Sequence, residues 1–535
     1  MHSGYSRLGS LGRVLRQALA ISLAASLFLV PVKSCSQDRP GGLGRINNII
    51  VIYQENWSFD GLYGSFPGAN GITNASATSL TQIDRVTGNP YSSQLGRPFD
   101  LSVGGPALAT PPQPINGSGA IDARFPNGLN TLLPYDFSAS VGPSGKTGDI
   151  VHRYWQEFFQ INGGKMDRFL TWSDNPGLVL SHIDATNLPE GKLAQQYTIA
   201  DNFFHSAFGG SFLNHQFLIA ARAPVFLNAD VQTPSSLPAL TADGQLALNP
   251  ATGKIVRDGK VTPKGGPTPT GDTFENFYAV NTIFSTNLVP TFKHKTDTDL
   301  LPSQNNSNPN DQVRPYIPTI GDRLSQKGVS WKWYSGGWDA AVDSTLSNPN
   351  PAKPATVDPL FQWHHQAFAY YDNFAPFLAD GTRNPKSAAH LQDENNFFRD
   401  LQNGTLPQVS FIKPLGPDNE HPGYASVLQG QQHVASIVRA VQDTDYWEHT
   451  LIIITYDEHG GRWDHVSPPE GDLWGPGSRV PAIFIGPMVK NGFVDHTQYE
   501  TDSILSLIEA RFGLEPLSDH DGDANPLSNI FKRDD

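Results

Sequence analysis

The chain has one cysteine, Cys35, among 535 residues, so its fold must be stable without an internal disulfide. Positive charge is scarce too: 37 Lys and Arg stand against 51 Asp and Glu, a formal net charge of −14 at pH 7. That balance argues against a broad electrostatic grip on nucleic acid or on an anionic membrane, and no nucleic-acid partner is expected. An anionic substrate would need a local positive centre, which in an acidic protein a bound metal supplies. Long apolar runs are missing as well. The one candidate, Ala18–Val30 behind Arg13 and Arg16, is thirteen residues long, too short to span a bilayer comfortably and suited to the apolar core of an export signal. Residues 1–35 therefore read as a signal peptide, and the mature chain as periplasmic or secreted. Cys35, in Val32-Lys33-Ser34-Cys35, is a candidate lipid-attachment site, although Lys33 fits such a signal poorly.

What is abundant is glycine (50), proline (43) and aromatic residues (10%), with only 16% charged residues. This is the composition of a packed protein with much irregular surface rather than of a disordered one. Five short β-branched or aromatic runs read as buried strands: Ile46–Tyr53, Val329–Tyr334, Val409–Lys413, Leu451–Tyr456 and Val480–Ile485. Helical spacing lies beside them, in Val434, Ile437, Val438 and Val441, in Ile504, Leu505 and Ile508 before Gly513, and from Ile320 to Gln326 before Gly328. Alternating helix and apolar strand predicts an α/β fold, a mostly parallel central sheet with helices on both faces. Length alone would suggest about three domains. A single domain over residues 45–535 with long loop insertions fits better. Thr87–Gly148, Ala223–Thr273, Lys293–Thr319 and Ser344–Asp358, rich in Pro, Gly, Asn, Thr and Ser, are those insertions. The sequence has no internal repeat.

Open α/β sheets bind ligands beyond the carboxyl ends of their strands. Two strands run straight into carboxylates there: Ile46–Tyr53 into Gln54-Glu55-Asn56, and Leu451–Tyr456 into Asp457-Glu458-His459-Gly460-Gly461. Converging carboxylates repel unless protonated or bridged by a cation, and three carboxylates with an amide oxygen suit a divalent metal. Either pair alone could simply cap the helix that follows. A second cluster is Gly209-Gly210-Ser211 ahead of a helix over Phe212 to Arg222, which puts a hydroxyl at a helix N-terminus, where an anion is favoured. Ser211 could be a cap and no more. Beside a metal it could ionise and attack phosphorus, with Asn214 donating to a phosphate oxygen. The histidines His364, His365 and His421 are candidates for phosphate contact or proton donation, His152 reads as an ordinary histidine, and Asp464 and His465 are candidates for orienting the site. None of these roles follows from spacing alone.

Taken together, four ordered segments resemble the bacterial phosphoesterase family, which contains phosphatidylcholine-type phospholipases C and acid phosphatases of the alkaline-phosphatase-like superfamily. They are Glu55-Asn56-Trp57-Ser58-Phe59-Asp60 with Gly64, Glu420-His421-Pro422, Thr455–Pro469 and Gly475–Pro487. The resemblance implies an alkaline-phosphatase-like sheet and a divalent metal held by Glu55, Asn56, Ser211, Asp457 and Glu458. It also implies Ser211 as nucleophile of a phosphoserine intermediate, with His152, His364, His365 and His421 around the phosphate. Gly210-Ser211-Phe212-Leu213-Asn214-His215 is similar to the acid phosphatase branch, not to the Pro-Thr-x-Pro-Asn-Arg type of the phospholipases. The sequence also stops soon after Gly513, where larger phospholipases continue. Glu458 departs from a branch that can carry a second Asp there.

The expected activity is thus an exported, metal-dependent phosphomonoesterase acting on small phosphate esters. A phospholipase C-type diesterase acting on phospholipid head groups is the alternative, and an exported metal- or phosphate-binding protein of the same fold the non-enzymatic one. A sulfatase is not expected, because no Cys/Ser-x-Pro-x-Arg motif fits.

Overall fold

The central strands are buried at every position, which is why their sequences read as unbroken apolar runs and not as alternating ones. The computed structural model describes residues 42–84, 88–91, 111–223, 317–344, 357–378 and 380–533, with two further two-residue strands at Gly259–Lys260 and Tyr278–Ala279. The predicted export segment, Cys35 and most of the predicted insertions lie outside the described residues. Of the first insertion, 88–91 and 111–148 are described and are largely irregular.

Among the described residues the main sheet has eight strands. They are β1 (Asn48–Gln54), β2 (Thr198–Ala200), β3 (Trp331–Ser335), β4 (Leu391–Asp393), β5 (Val409–Lys413), β6 (Thr450–Tyr456), β7 (Ala482–Ile485) and β8 (Phe493–Asp495). Their order across the sheet is β8-β2-β7-β6-β1-β5-β3-β4. The run from β6 to β4 is parallel throughout, and β7 alone is antiparallel to both its neighbours. The fold is therefore α/β with a mostly parallel sheet, as the alternation of helix and strand predicts. All five expected strands are present, with ends shifted by up to two residues. The additional strands β2, β4 and β8 are three residues each, too short to show a period.

Helices α1 (Phe59–Tyr63), α2 (Tyr154–Ile161), α3 (Pro189–Gln196), α4 (Ser211–Ala220), α5 (Ile320–Lys327), α6 (Val427–Gln442) and α7 (Asp502–Phe512) carry or brace the candidate residues. Thr319 and Asp322 form a capping box at the start of α5, and Gly328 ends it at φ 71°. Ser426 caps α6, which buries Val434, Ile437, Val438 and Val441. Gly513 stops α7 at φ 63°. Helix α4 is buried at all ten positions, so it runs through the core and shows no amphipathic stripe.

Register is what positions the site. Gln54 pairs with Tyr456 in the parallel β1–β6 ladder, so the two strands end level and deliver Glu55 and Asp457 to one edge. On the other side of β1, Ile52 pairs with Ile412, one residue short of Lys413. Ile453, at the centre of β6 and fully buried, tests the dependence on this core. Ile453→Ala is expected to lower unfolding free energy by about 2–5 kcal/mol, read as an earlier urea midpoint at unchanged slope.

Candidate active and metal site

Beyond β1 the chain turns sharply. Asn56 adopts φ 65°, a left-handed conformation that Asn tolerates better than most residues. The turn after Glu458 packs against it so closely that a Cβ on Gly460 would lie 2.1 Å from the Asn56 carbonyl oxygen. Only glycine fits there. Backbone bonds from Glu55 N–H to Asn419 O (2.9 Å) and from Asp457 N–H to Gln54 O (3.1 Å) fasten both loops to the segment after β5 and to each other.

Glu55, Asn56, Asp457, Glu458 and Ser211 are all buried. The Asn56 N–H donates to Asp457 Oδ1 (3.2 Å) and Ser211 Oγ donates to Glu55 Oε2 (3.3 Å); the Ser211 hydroxyl also faces Asp457. Burial would push the Glu55 carboxyl up, but His365 and Lys413 outweigh it and hold it well below the usual carboxylate range. His365 Nε2 lies 3.0 Å from Glu55 Oε1, the oxygen that also pairs with Lys413 Nζ. Burial pushes His365 itself down to about 4, and Lys413 Nζ on the same Glu55 oxygen is the buried ammonium beside the carboxylate. Asp457 and Glu458 are pushed well up, by burial first, then by Glu55 and by Asp457 respectively. Three buried oxygens here, Asn56 Oδ1, Asp457 Oδ2 and Glu458 Oε1, have no hydrogen-bond partner. Buried acceptors without partners call for a cation, and the chemistry of this donor set, carboxylates with an amide oxygen, suits a divalent one.

The histidines fix how Asn56 points. His152 Nδ1 lies 2.6 Å from Ile150 O and His421 Nδ1 2.5 Å from Pro422 O, so each Nδ1 carries the proton and each Nε2 is an acceptor when the ring is neutral. The Asn56 amide N–H2 faces both Nε2 atoms, at 3.2 and 2.8 Å, which leaves Asn56 Oδ1 free for the cation. His152, His364, His365 and His421 line one pocket of about 260 Å³ together with Asp149, Arg153 and Tyr424. Histidines from three separate stretches of the sequence thus share one space, which borders the carboxylates where His365 meets Glu55 (3.0 Å) and His152 meets Glu458 (3.5 Å).

Asn214 does something other than expected. Its Nδ2 donates to Ala207 O (2.9 Å) and reaches Gly209 O and Gly210 O (3.3 Å each), and its Oδ1 accepts from Ala207 N–H. Both amide hydrogens are committed to bracing the loop that presents Ser211, so none remains to donate to phosphate. Asp464 and His465 likewise make a network of their own. Arg479 Nε donates to Asp464 Oδ1 (2.8 Å), Arg479 Nη2 to Asp60 Oδ1 (3.1 Å), and His465 Nδ1 lies 2.7 Å from Asp60 Oδ2. This buried cluster joins three of the sequence motifs and orients their backbones.

Two residues escaped the sequence reading. Lys413 ends the apolar run of β5, and its charge at a buried strand terminus was the available signal. His215 follows Ser211 by one helical turn; its Nδ1 lies 2.7 Å from Ser211 O and its ring stacks on His365, centroids 5.2 Å apart. Glu55, His215 and His365 place one donor atom each within 4.8 Å of one another, a second trio on which a metal could draw.

The phosphoesterase family model matches residues 46–515. A non-hemolytic phospholipase C of Burkholderia pseudomallei is 32% identical over 230 residues, 36% of this chain and 32% of that protein. A non-hemolytic phospholipase C of Pseudomonas aeruginosa is 21% identical over 543 residues, 95% of this chain and 59% of that protein. The chain therefore spans less than two thirds of the length of either relative. Among solved structures, a phosphonate monoester hydrolase from Silicibacter pomeroyi matches at TM-score 0.27 and 12% identity, over 62% of this chain and 69% of that one.

The Lys413–Glu55 pair yields a direct test. Lys413→Met strands a buried carboxylate and is expected to cost about 3–5 kcal/mol. Adding Glu55→Gln should recover at least half of that loss in denaturant unfolding; no recovery would mean that Lys413 does not compensate Glu55.

Proposed function

The chain belongs to the phosphoesterase family, and from that premise we propose that it is an exported, metal-dependent phosphomonoesterase working through a phosphoserine on Ser211. The observation that carries this reading is the place of Ser211. It is the first residue of α4, its Oγ is 3.3 Å from Glu55 Oε2, and it sits beside the buried carboxylate of Asp457. The free N–H groups of a helix's first turn favour an anion at this end, which suits a phosphoryl group brought to the hydroxyl.

Glu55, Asn56, Ser211, Asp457 and Glu458 would hold the metal, whose charge favours an ionised Ser211 hydroxyl and offsets that of the phosphoryl oxygens. Ser211 Oγ then bonds to phosphorus as the bond to the leaving oxygen breaks, and that oxygen takes a proton from a pocket histidine. The nitrogen that exchanges it is one not engaged with the Asn56 amide, which the Nε2 atoms of His152 and His421 hold. Water attacks the phosphoserine, returns a proton to the same nitrogen, and frees phosphate and Ser211. Lys413 keeps Glu55 ionised through the cycle, and Asn214 holds the turn that aims Ser211.

A phospholipase C-type diesterase using the same residues is the second reading, favoured by the names of both relatives. A pocket of about 260 Å³ is at the small end for ligand sites, which supports a small phosphate ester or a head group alone. Rates on a simple phosphomonoester and on phosphatidylcholine, measured in parallel, separate the two; activity on the diester alone would overturn the monoesterase reading. Ser211→Ala is expected to lower kcat on the order of 10³-fold or more with an unchanged circular dichroism spectrum, and wild-type turnover in that variant would remove Ser211 as nucleophile. Chelation should abolish turnover and added divalent metal restore it. Full activity in a metal-free preparation would rule out the metal, and no activity under any condition would favour the binding-protein reading.

A further inference from the structure

Behind the carboxylates of the proposed centre lies a second cluster of metal-binding side chains that the proposed reaction does not use. Glu157 on α2, His205 after the residue pair Phe203–Phe204, and His459 next to Glu458 are all fully buried, and one donor atom from each lies within 4.8 Å of the others. His205 Nε2 is 3.0 Å from Glu157 Oε1, His459 Nδ1 is 3.4 Å from the same oxygen, and His459 Nδ1 is also 3.4 Å from Glu458 Oε2. Donors tetrahedrally arranged at about 2.0–2.1 Å from a zinc-like ion stand about 3.3 Å apart, close to these three separations; Glu458 Oε2 joins the Glu157–His205–His459 trio through His459.

The hydrogen-bond pattern points the same way. His205 Nδ1 lies 2.8 Å from Ala207 O, so its proton sits there and, in the neutral ring, a bare Nε2 faces the Glu157 carboxylate. Two lone pairs at 3.0 Å are tolerated only with a cation between them, either a proton on Nε2 or a metal. A proton would settle His205 alone. Both ring nitrogens of His459 would remain buried without a hydrogen-bond partner, at a cost for each, whereas a metal engages His459 Nδ1 as well. The carboxylates have the outer hydrogen bonds expected of ligands: Glu157 accepts from Ser478 N–H (2.8 Å) and Gly209 N–H (2.6 Å), and Glu458 Oε2 from Gly460 N–H (2.6 Å). Gly477 leaves the space open, since a Cβ there would lie 2.5 Å from His205 Nε2 and 2.8 Å from Glu157 Oε1.

We propose that His205 Nε2, His459 Nδ1, Glu157 Oε1 and Glu458 Oε2 form a second, buried site for a divalent cation of the zinc type. It goes beyond the phosphoester-hydrolysing centre and shares only Glu458 with it, one oxygen of that side chain serving each site. Such an ion would tie the turn carrying Gly209 to the loop carrying Glu458, so the nucleophile and the proposed metal ligands would be set by one bond network.

The test is uptake of zinc, and of cobalt as a spectroscopic substitute, by the metal-depleted full chain. Wild type is expected to bind about two equivalents, with a visible cobalt band of the four-coordinate type. His459→Ala and, without replacing a ligand, Gly477→Ala should each lose one equivalent and that band. Asp457→Asn should lose the other equivalent and keep the band. His205→Asn replaces His459→Ala if circular dichroism shows the latter unfolded. One equivalent in wild type, lost in Asp457→Asn but kept in His459→Ala, would overturn the second site and leave the first standing. One equivalent with the opposite dependence would overturn the first site and support the second. No uptake by folded wild-type protein would overturn both.

Discussion

Glu55, Asp457 and Glu458 are buried within a few residues of two adjacent strand ends, and an uncompensated buried charge costs several kcal/mol. Much of the surrounding structure answers that cost. Lys413 reaches Glu55 from the neighbouring strand, and backbone N–H groups of Asn56, Glu458 and Gly460 point at the Asp457 and Glu458 carboxylates. Asn56 is turned by two histidines so that its own oxygen adds to the acceptors. The acceptors still outnumber the donors, and that surplus is what makes the place suited to a metal and unsuited to being a plain part of the core.

Holding such a site needs rigid supports, and these are ionic too. The Asp60–Asp464–Arg479 network bridges positions 60, 464 and 479 across the fold, with Arg479 also donating to Asn70 O and Asp201 O. Arg462 is buried over the Trp57 ring, 4.1 Å from its centroid, and donates to the carbonyls of Leu178 and Ser181. The residues between the proposed ligands in each motif are therefore scaffold. They fix where the ligands can stand, which is the precision that metal and phosphoryl chemistry demand.

Glu458 is the residue at which the two proposed sites meet. A carboxylate one methylene longer than Asp reaches two ways, with Oε1 unpartnered among the acceptors of the first site and Oε2 3.4 Å from His459 Nδ1. The longer side chain is then an extension of the site and no longer simply a substitute ligand.

By itself the sequence determined the fold class, the central strands and the two carboxylate pairs. Buried parallel strands must be continuously apolar, and charge at their ends stands out against that background. It also marked Ser211 by its glycines. What it left undecided was partnership, because side chains hundreds of positions apart meet only through register and packing. Only the tertiary structure decided that His152 and His421 flank Asn56, that Lys413 neutralises Glu55, and that Asn214 braces its own loop and not a substrate. The short strands β2, β4 and β8 were illegible for a related reason: three residues carry no period, and they exist because the sheet offers them an edge or a gap. The Glu157–His205–His459 cluster was hidden most completely, since its residues are unremarkable in line and acquire meaning only where α2, the turn before α4 and the loop after β6 converge.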